Sequence, residues 1–109
     1  MSMRNKLSAL AFIALLTPVP ALADAAGGEA LLTKNRCVAC HDTTKNLLGP
    51  SYKAIAARHA AQKETMIEVL AQKIIAGGAG NWGVVPMVPN EHVSLEEARA
   101  ISHWILSLQ

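Results

Sequence analysis

Residues 37–41 read Cys37-Val38-Ala39-Cys40-His41, and no other stretch constrains the chain so sharply. Two cysteines separated by two residues and followed at once by histidine match the attachment pattern for a c-type haem. The spacing has a chemical reason. Each thiol can add across one vinyl group of a porphyrin to give a thioether, and the adjoining imidazole reaches the iron from one face. The pentapeptide by itself also accommodates a structural disulfide, a thioredoxin-like redox pair or half of a zinc site.

The first segment reads as a leader. Arg4 and Lys6 give a basic start, Leu7 to Leu16 an apolar run, and Ala21-Leu22-Ala23 the small residues at which a signal peptidase cuts. The run is shorter than the ~20 residues of a spanning helix, and Pro18 and Pro20 oppose a continuous helix there. The sequence therefore predicts a cleaved secretory signal over 1–23 and one domain over 24–109, with no integral membrane segment after cleavage. The rival is an uncleaved anchor.

A mature chain of 86 residues (109 less the 23 of the leader) has a small core. Domains below about 70–80 residues usually need a staple, because one core rarely supplies more than about 3–5 kcal/mol. Its aromatics are Tyr52, Trp82 and Trp104, since Phe12 leaves with the leader. A flat apolar cofactor would fill the space that aromatics leave empty. An oxidising compartment tends to join free thiols, whereas two thioethers would consume both.

The full chain carries a formal charge of +2, and loss of Arg4 and Lys6 leaves 8 basic against 8 acidic residues. Neutrality argues against a nucleic-acid partner. The charges are uneven along the chain, with Lys34, Arg36, Lys45, Lys53, Arg58, Lys63 and Lys73 early and Glu91, Glu96 and Glu97 late. Such a dipole can orient a molecule toward a partner; an ordinary solvated surface explains it equally well.

Along the mature chain, Asp24 to Arg36 begins with Gly27-Gly28 and then reads as a short helix, with Leu31 and Leu32 as its apolar contribution. Pro50, after a polar loop, lacks an N–H but keeps a carbonyl that can accept from a metal-bound histidine. Ser51 is an N-cap for a helix to about His59 with Tyr52, Ile55 and Ala56 inward. From Glu64 to Ala76, Met66, Ile67, Leu70, Ala71 and Ile74 recur at three and four residues and mark one buried face. Met66 belongs to that stripe and reads as packing, as do His59, His92 and His103 by default. Gly77-Gly78 stops the helix.

Residues 77–90 carry no period and are rich in Gly and Pro. A loop of that length is usually functional or disordered. Pro86 and Pro89 flank Met87, so its thioether would lose less entropy on binding iron; given the haem pattern, Met87 is the candidate sixth ligand. Ser94-Leu95-Glu96-Glu97 fits a capping box, and Ala98, Ile101, Trp104, Ile105 and Leu108 form the apolar face of a last helix. Nothing alternates like a strand, and an all-α domain is expected.

Taken together, Cys37 to His41, Gly49-Pro50-Ser51-Tyr52-Lys53, Trp82-Gly83-Val84-Val85-Pro86-Met87-Val88-Pro89-Asn90 and Trp104-Ile105-Leu106-Ser107 resemble the short bacterial class I cytochromes c of the c-551 type. The resemblance covers essentially the whole mature chain. It implies an all-α cytochrome c fold of about four helices wrapped round one covalently attached haem c, the first and last helices crossing. It implies that Cys37 and Cys40 hold the haem, that His41 and Met87 are its axial ligands, and that the Pro50 carbonyl accepts from the His41 ring. Trp82 would donate to a haem propionate and the Asn90 side chain to the Met87 sulfur. Lys73 falls where relatives often place an arginine on a propionate, but a lysine lacks the planar fork for a bidentate contact. Val88 stands where some relatives have another proline.

With both axial positions filled by protein, the implied activity is not enzymatic: one-electron transfer in the periplasm between redox partner proteins, by a monomer. Thioether ligation favours ferrous iron. Lysines such as Lys45 or Lys53 would ring the docking surface. The alternative is a gas-binding or peroxidatic c-type haem protein, should Met87 not ligate. A thiol–disulfide oxidoreductase would need a strand-containing fold.

Overall fold

A computed structural model describes residues 9–16 and 20–109. Arg4, Lys6 and Pro18 lie outside the described residues. Residues 9–16 have no regular structure and lie away from the core, Phe12 and Leu16 each being 96% exposed. No described helix is long and apolar enough to cross a membrane.

Four α-helices follow: α1 (Pro20–Lys34), α2 (Tyr52–Arg58), α3 (Lys63–Ala76) and α4 (Leu95–Leu106), with short 3-10 turns at Cys37–Ala39 and Ala60–Gln62. Among the described residues there is no strand, only an isolated antiparallel bridge between Gly78 and Met87.

Three helices begin and end close to where the sequence placed them. Ser51 is extended, and its hydroxyl accepts from Ala54 N at 3.1 Å, which starts α2. Ser94 does the same for α4, accepting from Glu97 N at 3.1 Å. The reciprocal half of the expected capping box is not made. The Glu97 carboxylate instead faces α1, taking Lys34 Nζ at 2.5 Å and Asn35 Nδ2 at 3.4 Å.

The first helix differs most from expectation. It starts at Pro20, whose fixed φ and missing N–H suit a first turn, and it runs through Gly27 and Gly28. Glycine costs about 1 kcal/mol in a helix interior relative to alanine; at Gly28 the approach of α4 explains it. A Cβ there would lie 2.6 Å from the Ala100 carbonyl oxygen and closer still to Trp104 Cβ. The first and last helices therefore cross at backbone distance.

The buried cluster takes Leu32 from α1, Tyr52 and Ile55 from α2, Ala71 and Ile74 from α3, and Ala98, Ile101 and Ile105 from α4. Helix α4 is the shared wall, packing on both α1 and α3. Two ion pairs tie it on the outside: Glu97 to Lys34, and Glu68 to Arg99, whose Nε and Nη2 lie 2.7 and 3.1 Å from the two carboxylate oxygens. Partly buried Cys37, Met87 and Trp104 pack against the same cluster.

Candidate functional site

Helix α1 ends because Arg36 turns left-handed (φ 61°), and that turn delivers the chain directly to Cys37. The Cys37 carbonyl then accepts from Cys40 N at 3.2 Å and His41 N at 3.0 Å, so the two thiols and the imidazole sit on one tight turn. Neither cysteine is in a disulfide. Burial pushes the Cys37 thiol up, with a backbone hydrogen bond working against it and Cys40 alongside adding to it. Redox-active thiols are shifted the other way. Among the described residues no three His, Cys, Asp or Glu side chains come together to hold a metal ion, so nothing completes a zinc site.

His41 is held from several sides. Its Nδ1 lies 2.7 Å from Pro50 O, which makes that nitrogen the donor and leaves Nε2 as the free nitrogen. The Tyr52 ring stacks on it with centroids 5.6 Å apart. Gly49 passes so close that a Cβ on it would lie 2.8 Å from Nδ1 and 2.9 Å from Nε2. The intervening loop is pinned by Gly49 N to Cys40 O at 2.9 Å, Tyr52 N to Asp42 O at 2.9 Å and Ser51 N to Asn46 Oδ1 at 2.9 Å. Asp42 Oδ2 accepts from the Thr44 and Lys45 amides, which holds its carboxyl below the usual value. Among the described residues the buried Tyr52 hydroxyl has no hydrogen-bond partner; burial first, then Cys37, Asp42 and Cys40, pushes its phenol well up.

Met87 is placed by the base of its own loop. Gly77 (φ 68°) ends α3, and a Cβ on it would come within 2.8 Å of Pro89 N, so only glycine lets the returning chain pass. Gly78 N donates to Met87 O at 3.0 Å and Met87 N to Gly78 O at 2.7 Å. Asn90 closes the loop from the other end, with its backbone N 3.1 Å from Ile75 O. Its side-chain amide donates to Ile74 O at 3.0 Å and Val88 O at 3.3 Å. The last turn of α3 leaves carbonyls without helical partners, and these are what the amide satisfies.

Trp82 lies further out, 42% exposed, with the Arg58 guanidinium 3.4 Å from its ring centroid. Arg58 Nη1 also donates to Asn81 O at 2.7 Å. Sequence reasoning counted Arg58 only among the early basic residues; nothing in α2 marks it for this site, because its partners lie 23 and 24 residues away. Lys73 is exposed and forms no ion pair among the described residues. Of the predicted residues, Cys37, Cys40, His41 and Pro50 come together in one corner, while Met87 and Asn90 are fixed at the end of α3.

The donor set suits a covalently held haem: two free thiols, an imidazole oriented through one nitrogen, and a half-buried thioether on a pinned loop. The surroundings suit a flat apolar group as well. Leu47 and Leu48 after the histidine, and Val85 and Val88 beside Met87, are 52, 68, 56 and 69% exposed, so both segments that carry a candidate ligand leave large apolar side chains open for such a group to cover.

Comparison with known proteins agrees. Residues 25–109 match the family model described as cytochrome c. A cytochrome c-551 from Allochromatium vinosum is 39% identical over 91% of this chain and 100% of its own length. A cytochrome c-552 from Nitrosomonas europaea is 44% identical over 72% of this chain and 76% of its own. The crystal structure of wild-type Nitrosomonas europaea cytochrome c552 superposes with a TM-score of 0.71 at 43% identity, covering 74% of this chain and 99% of that one.

Proposed function

The chain belongs to the cytochrome c family, and we propose that within it the protein is a periplasmic one-electron carrier with a single haem, attached through thioethers to Cys37 and Cys40 and ligated by His41 and Met87. Bound haem would supply the reversible exchange of one electron between ferrous and ferric iron.

The observation that carries the assignment is the 2.7 Å bond between His41 Nδ1 and Pro50 O. It fixes the tautomer that keeps Nε2 unprotonated for a metal, and a carbonyl partner on the other nitrogen raises the basicity of the ligating one. Met87 would complement it as a neutral thioether, a ligand type that stabilises ferrous iron and raises the potential. Asn90 contributes by holding the end of the Met87 loop to α3. Trp82 and Lys73 are the side chains proposed toward a propionate, the latter with one point charge where an arginine would offer two parallel donors.

Export accounts for the N-terminal segment. Cleavage before Asp24 would shorten α1 by its first turn and leave an acidic residue at the positive end of the helix. The carrier would act as a monomer, docking transiently with redox proteins through a small surface that includes exposed Lys45 and Lys53. Lys45→Glu or Lys53→Glu should slow exchange with an acidic redox partner and flatten its salt dependence; unchanged rates would remove the lysines from the docking surface.

The deciding experiment is the absorption spectrum of the exported protein and of Met87→Ala. The weak long-wavelength band that reports sulfur on ferric haem is expected in the parent and absent from the variant, whose midpoint potential falls. A parent that lacks the band and shifts on adding carbon monoxide would instead be a gas-binding or peroxidatic protein.

A further inference from the structure

Helix α2 is only seven residues long, yet its two ends engage opposite parts of the site. At its start, Tyr52 stacks under the His41 ring, two residues after the Pro50 carbonyl that orients it. At its end, Arg58 lies over Trp82 and donates to Asn81. The outer part of the loop before Met87 has little else to hold it. Gly80 N to Gly83 O at 3.1 Å is internal to the loop, Gly80 and Gly83 both have positive φ, and Val84 is 94% exposed. Among the described residues, no other side chain outside the loop hydrogen-bonds to residues 79–85.

We propose that Arg58 is a positioning residue for Met87: by stacking on Trp82 and holding the Asn81 carbonyl, it clamps the outer ligand loop to the helix that supports His41. The inference rests on Met87 being an axial ligand. Two features of the guanidinium suit the task. It is planar, so it can lie flat on the indole while its edge donates to the carbonyl. It also carries several N–H donors in one fork, so the same group can reach the carbonyl without leaving the ring.

A clamp differs from ordinary structural support in what it alters. Losing it should open the loop without opening the rest of the domain, since proteins unfold locally in cooperative segments. Amide exchange measured on the haem-loaded protein resolves the two cases. In Arg58→Ala, exchange at Gly78, Gly80 and Met87 N–H should accelerate by roughly tenfold or more, while exchange in α4 stays at the parental rate. The ferric sulfur band should weaken and the midpoint potential drop. Arg58→Lys, which keeps the charge but loses the plane, should fall between the two. Arg99→Ala, which removes an exposed arginine from its pair with Glu68, is the control and should leave the loop amides unchanged.

If the parent shows the sulfur band, and Arg58→Ala and Arg58→Lys both match it in loop exchange, band and potential, the clamp is disproved. The same holds if loop and α4 exchange accelerate together. Should Arg58→Ala fail to accumulate with haem, Arg58→Lys decides by the same comparison. A parent without the band would instead overturn Met87 ligation, an outcome separate from any behaviour of the Arg58 variants.

Discussion

His41 Nδ1 and the carbonyl oxygen of Pro50 are 2.7 Å apart across nine residues of chain, and Gly49, the residue just before that carbonyl, lies against the same ring. The imidazole is thus hemmed by backbone on one side and by Tyr52 on another, so its orientation is set by the packing of the fold.

Gly49→Ala tests this. The added methyl would meet Nδ1 and Nε2 at 2.8–2.9 Å and Cε1 more closely still, and the ring cannot retreat without giving up the Pro50 bond or the Tyr52 stack. Overpacking of this kind costs about 1–3 kcal/mol. The variant should unfold at lower denaturant, and its midpoint potential should shift as the bond to Pro50 lengthens. An unchanged potential with unchanged stability would mean that the ring is free to turn.

The adjacent glycines of α1 should respond in opposite directions. A Cβ at Gly27 meets nothing within 4 Å, whereas one at Gly28 would collide with Ala100 O and Trp104. Gly27→Ala should therefore stabilise by about 0.5–1 kcal/mol through helix propensity and a less free unfolded chain. Gly28→Ala gains the same and loses about 1–3 kcal/mol to overpacking, so it should be net destabilising. Thermal melts of the pair check both signs.

That contrast also shows where the sequence was readable. The turn from Cys37 to His41, the Ser51 and Ser94 caps and the stripe of α4 are local patterns that fold as their spacing predicts, whereas the α3 stripe is buried only at Ala71 and Ile74, with Met66 and Ile67 half-exposed outside the core cluster. What stayed hidden depends on residues brought together from afar. Gly27-Gly28 read as a helix start because only the packed Trp104 reveals why a helix would keep Gly28. The Glu97 carboxylate satisfied a motif on paper but found Lys34 in space. Arg58 over Trp82, and the Asn90 amide on Ile74 O, likewise follow from tertiary placement.

Arg36 holds a left-handed conformation, φ 61°, at an exposed position. For a residue with a Cβ this costs about 1–2 kcal/mol, which glycine avoids; glycine's freer unfolded state takes back part of the gain. Arg36→Gly should stabilise by about 0.5–1 kcal/mol and raise the melting temperature by several degrees. A drop in melting temperature would show that the Arg36 side chain makes contacts worth more than its backbone strain.

Acid should weaken the domain through its two exposed ion pairs. Lys34, by hydrogen bonding, holds the Glu97 carboxyl below its ordinary 4.5, and Arg99 does the same for Glu68 with help from Gln72. Because these carboxyls are lowered in the folded state, the unfolded chain binds more protons as pH falls through 4.5, so the stability they lend is complete above that value and is lost below it. The amount is small for exposed pairs and shrinks with salt. Denaturation midpoints measured from pH 6 to pH 3 in Glu68→Gln/Glu97→Gln should fall less steeply than in the parent, and about 1 M salt should bring the two curves together. An acid limb as steep in the double variant as in the parent would assign the loss to other carboxyls, with Asp42, held by the Thr44 and Lys45 amides, the next to replace.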